Sequence, residues 1–66
     1  MPIRKLQARV DQDLSYLIWQ GQVYNLGPQE LRQRFGKLAE GYRKVVDASD
    51  ADSLEKLLDR SAASLG

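Results

Sequence analysis

The stretch YLIWQGQVYNLGPQEL, Tyr16–Leu31, decides the fold of this chain. Its first half is dense in aromatic and β-branched residues, which favour strands. Read that way, Tyr16–Trp19 and Gln22–Leu26 pair around Gln20-Gly21, where Gly21 supplies a positive φ for the turn. Its second half is a helix start. Pro28 suits the first helical position, and Glu30 brings an acid into the first turn.

Downstream, apolar residues recur at Leu31, Phe35, Leu38, Tyr42, Val45 and Val46. Steps of four and three are those of one helix face. Glu30 stands four before Arg34 and Glu40 four before Lys44, the supportive order for i,i+4 ion pairs. Gly36 and Gly41 oppose the helix by about 1 kcal/mol each relative to Ala. They mark either close approach by a partner helix or tolerated weak points. After Asp47-Ala48 a further helix is expected, with Ser49 and Asp52 spaced as a capping box and Leu54, Leu57, Leu58, Ala62 and Leu65 on its apolar face. Its end, SAASLG (61–66), is expected to fray.

Upstream, two periods fit the same residues. Lys5, Gln7, Arg9 and Asp11 alternate with Leu6, Ala8 and Val10, as in a half-wet strand. Ile3, Leu6, Val10, Leu14, Leu17 and Ile18 also lie on one face of a helix, and the segment is rich in good helix formers. The chain therefore reads in three ways: a strand followed by helices; an N-terminal helix or strand with a β-hairpin at 15–26 and then two helices; or a three-helix bundle whose first helix is 3–19 and whose loop is 20–27.

Length and composition limit the rest. Sixty-six residues make one domain, here a body at 3–46 and an acidic C-terminal helix at 49–65. With no Cys and no His, disulfide and zinc staples are absent. So short a chain without staples is expected to complete its core as a homodimer. No cofactor or metal is expected. The N-terminus has no apolar run of the signal-peptide kind, and no stretch approaches the roughly 20 apolar residues of a membrane span. A cytoplasmic protein with no membrane contact is expected. Serines without a histidine, and no phosphate loop around Gly36-Lys37, argue against an enzyme.

The net charge of +1 conceals an asymmetry. Residues 1–44 carry eight Lys/Arg against four acids, and residues 45–66 carry five acids against Lys56 and Arg60. This gives a basic body and an acidic tail, or simply two solvated faces of opposite sign.

Over residues 3–46 the string RVDQDLSYLIWQGQVYNLGPQELRQRF resembles the ribbon-helix-helix repressors, the group containing Arc and MetJ. The resemblance rests on Asp11, Leu14, Ile18, Asn25, Leu26 and Gly27, with Glu30-Leu31 opening the second helix. It implies a small, mostly helical α+β fold: a short N-terminal strand, then helices, with an extra C-terminal helix. It also implies a dimeric, DNA-binding transcriptional regulator or antitoxin-like protein whose paired strands read the major groove of double-stranded DNA. Lys5, Gln7 and Arg9 would then contact bases, and Gly27, Gln29, Arg32 and Arg34 would contact phosphate. The same residues also suit an ordinary wet face and a simple helix start. The chain departs from the family over Tyr16, Leu17, Trp19, Val23 and Tyr24, which include several positions where solvated polar residues are usual, and at Gly21, where Ala or Leu is usual. Those departures support the competing reading, a small protein-interaction module (a phage structural part, inhibitor or adaptor) that uses Trp19, Val23 and Tyr24. A protein partner on the C-terminal helix is a further expectation.

Overall fold

The computed structural model describes residues 1–65 and contains helices α1 (Ile3–Val23), α2 (Pro28–Val45) and α3 (Ala51–Ala63). A 3-10 turn at Ala48–Asp50 leads into α3. No strand occurs among the described residues. This overturns both the ribbon-helix-helix expectation and the hairpin at 15–26. Residues 3–23 form a single 21-residue helix. The three-helix reading has the right class but ends its first helix four residues early.

The helical period prevails upstream because it buries more. Leu6, Val10 and Leu17 of α1 are buried together against Phe35, Ala39 and Tyr42 of α2 and Leu54, Leu57 and Leu58 of α3. Ile3, Leu14, Leu31, Leu38 and Val46 pack around this cluster. A strand at 5–11 would place Leu6, Ala8 and Val10 on one face, which only a second sheet or chain could cover. The helix instead aligns Leu6 and Val10 with Leu17 inside one chain. Leu65 is also buried, so the C-terminal end packs rather than frays as far as it is described; Gly66 lies outside the described residues.

Gly21, the expected hairpin turn, sits inside α1 for a steric reason. A Cβ there would come within 3.0 Å of the Leu31 side chain, so the glycine lets α1 pass close to the start of α2. The helix stops later, at Asn25, whose φ of 56° is left-handed. The Leu26 N–H reaches back to the Gly21 carbonyl at 2.9 Å, and half-buried Leu26 folds under the helix end. This is a Schellman stop with Asn at the left-handed position. Asn tolerates that conformation and a β-branched residue does not. Asn25→Val is therefore expected to lower stability by about 1–2 kcal/mol in a urea titration, while Asn25→Gly costs nothing. A destabilised Asn25→Gly protein would contradict this reading of the turn.

Gly36 and Gly41 do not mark a helix–helix approach. Added Cβ atoms there meet nothing within 4 Å. The expected capping box at Ser49 is not formed either. Asp50 instead turns to the start of α1, where its carboxylate accepts the Ile3 N–H at 3.1 Å. That bond supplies one of the orphan donors of the first turn of α1, which has no cap of its own. Nearby, the Met1 amino group donates to the Val45 carbonyl at 2.6 Å and to Asp47 at 2.8 Å, tying the chain start to the α2–α3 connection.

Candidate functional site

The most unusual surface lies on the outer face of α1. Tyr16 is 58% exposed, Trp19 52%, Val23 54% and Tyr24 64%. Gln12, Tyr16, Trp19 and Val23 follow one another in steps of four, three and four, which aligns them as one stripe. That stripe lies well around the helix from the buried Leu6, Val10 and Leu17. Tyr16 and Trp19 stack with ring centroids 5.7 Å apart and planes at 28°, so each orders the other. Of the residues expected to bind a partner, Trp19 and Val23 share this face, and Tyr24 extends it just past the helix end. The sequence reading missed Tyr16 as a site residue. The heptad spacing from Gln12 to Val23 was the available signal.

Tyr16 also walls a groove between α1 and α2. One end of the groove is a cavity of about 320 Å³ lined by Asp13, Tyr16, Leu17, Gln20, Arg34, Lys37 and Leu38. The other is a cavity of about 280 Å³ that includes Arg9, Gly41, Tyr42 and Val45 and shares Asp13, Lys37 and Leu38. Between them the Tyr42 hydroxyl donates to the Asp13 carboxylate at 2.5 Å. Burial pushes the Tyr42 phenol well above its ordinary pKa, and the hydrogen bond to Asp13 raises it further. No buried side-chain polar atom among the described residues lacks a partner. Around this floor Arg9, Arg34 and Lys37 form a cationic margin, with Arg34 also paired to Glu30 at 3.1 Å.

The residues expected to read DNA do not converge. Residues two apart on a helix are rotated by about 200°, so Lys5 and Arg9 fall on one side of α1 and Gln7 on another. Gln7 lines a small cavity toward α3 with Ser53, Lys56 and Arg60. The base-reading strand for which those three were chosen is an α-helix. Gly27 is the N-cap of α2, and Gln29 and Arg32 are exposed, with Arg32 and Arg34 likewise about 200° apart. On the acidic side, Arg43 and Glu55 join α2 to α3 by two hydrogen bonds of 2.9 Å. This bidentate contact holds the Glu55 carboxyl below its usual range. Both partners are exposed, so the pair contributes little to stability and weakens with salt.

No helix is long and apolar enough to cross a membrane among the described residues, and no cluster of acidic side chains there is arranged for a metal ion. Compared with protein-family models, curated proteins and solved structures, the chain matches none.

Proposed function

We propose that this chain is a non-enzymatic protein-binding module of the cytoplasm whose contact face is the aromatic stripe of α1. The observation that carries the reading is the joint exposure of Tyr16, Trp19 and Val23 on one helix face, with Tyr24 beside them. Scattered surface hydrophobics need no explanation, but a contiguous aromatic patch does. The core of this domain is already complete without these residues, since Leu6, Val10 and Leu17 supply the contribution of α1. Stacked Tyr and Trp side chains are also the usual anchors of protein interfaces, and their mutual packing lowers the entropy lost on binding.

The test is site-specific photo-crosslinking in extracts of the native cell. A photoreactive amino acid at Trp19 or Val23 is expected to yield the same protein adduct. The same probe at exposed Arg32 should yield none. Tyr16→Ala should weaken that capture by at least about thirtyfold, the range of an interface anchor. Equal adducts from all three positions would overturn the proposal. So would salt-sensitive binding to duplex DNA, unaffected by Tyr16→Ala, with no protein adduct.

A further inference from the structure

The groove between α1 and α2 opens directly beside the aromatic stripe, because Tyr16 belongs to both. It runs from Arg9 to Gln20 along α1, about 16 Å at 1.5 Å per residue, or roughly three helical turns. Its floor is apolar, formed by Tyr16, Leu17, Leu38 and Val45. Its charged margin is Arg9, Lys37 and Arg34, the last paired to Glu30, and its one lining acid is Asp13, whose carboxylate already accepts the Tyr42 hydroxyl. An apolar trough of this length with cationic edges matches an amphipathic helix whose flanks carry carboxylates.

We infer that the α1–α2 groove binds an acidic amphipathic helix of a partner protein, with apolar side chains down on Leu38 and Val45 and carboxylates against Arg9, Arg34 and Lys37. The inference rests on the protein-binding reading above and names the chemistry of the partner. The acidic helix of a second copy does not fit. In this chain α3 places Asp52, Glu55 and Asp59 outward, but its leucines Leu54, Leu57 and Leu58 are buried in the core. That leaves no apolar edge to enter the groove. A nucleic-acid backbone would satisfy the cations but leave the apolar floor wet.

Gly41 allows the groove to be blocked without harming the fold. It lines the cavity near Val45, and a Cβ there meets nothing within 4 Å. The experiment selects helical peptides from a displayed random library on the full 66-residue chain. Three variants follow: Gly41→Phe, the exposed charge reversal Lys37→Glu, and Trp19→Ala. Melting curves serve as the folding control.

The expected result is enrichment of peptides with apolar residues at i, i+3 or i+4 and i+7, flanked by Glu or Asp. Their affinity should fall at least about tenfold with Gly41→Phe and with Lys37→Glu. It should also fall as salt rises. Peptides that depend on Trp19 but are indifferent to Gly41→Phe and Lys37→Glu would overturn the groove while leaving the protein-binding module standing. Enriched peptides with basic flanks would overturn it too. If no peptide is enriched and duplex DNA binds with sensitivity to Lys37→Glu, both the groove inference and the protein-binding reading fall.

Discussion

Leu54→Ala is expected to remove a large fraction of this domain's stability. Leu54 is fully buried, with 0% exposure, where α3 meets the other two helices. Truncating such a leucine costs about 2–5 kcal/mol, from lost transfer free energy and an unfilled cavity. A domain of this length has only about 3–10 kcal/mol in total, at the usual stability per residue. The loss is thus between a large fraction and all of it. In urea the midpoint should drop sharply with an unchanged slope, because the folded state that remains buries the same surface. Val45→Ala is the control. Val45 is 47% exposed on α2, so its truncation should move the midpoint little. Equal effects at the two positions would mean that α3 does not seal the core.

The second large effect is at Tyr42, which combines core and polar roles. Its ring is buried at 4% exposure, and its hydroxyl donates to Asp13 across the α1–α2 contact. Tyr42→Ala should cost about 3–5 kcal/mol, as for other buried aromatic truncations. Tyr42→Phe keeps the ring and loses only the charge-assisted hydrogen bond, for about 1–3 kcal/mol. The phenol also predicts a pH dependence. Its pKa is raised in the folded protein, so its stabilising contribution is intact below the unfolded tyrosine value, near about 10. Above that pH the unfolded chain ionises and the folded one does not. Stability should then fall by up to about 1.4 kcal/mol per pH unit. Tyr42→Phe should flatten the alkaline limb; an unchanged limb would place its cause elsewhere.

In the second half of the fold the helices were legible, though not the cap at Ser49 or the packing of Leu65. Gly27-Pro28 opens α2, Glu30 pairs with Arg34, and Leu54, Leu57 and Leu58 line α3, all from period and end signals. The first half was not legible, because two periods fitted and local propensity favoured the wrong one. Trp19, Val23 and Tyr24 suggest a strand because strands usually half-bury such residues. Here they are carried outward on a helix held in place by Leu6, Val10 and Leu17 on its other side. The signal that misled the fold is the signal that marks the candidate site. Gly21 misled for a different reason. Its meaning lies in Leu31, ten residues on, and no local rule contains that distance. The groove was illegible for a similar reason, since Arg9, Lys37 and Leu38 meet only after α1 and α2 pack.

The hydrogen bond from the Ile3 N–H to Asp50 spans 47 positions of sequence. A 21-residue helix could otherwise form early and fray at its open first turn while the chain is still being made. Here the first turn of α1 is completed by a residue 47 positions further along the chain. Its start is finished only as the last helix docks. The start of α1 is therefore coupled to the docking of α3, and a chain stopped before Asp50 leaves α1 without that acceptor.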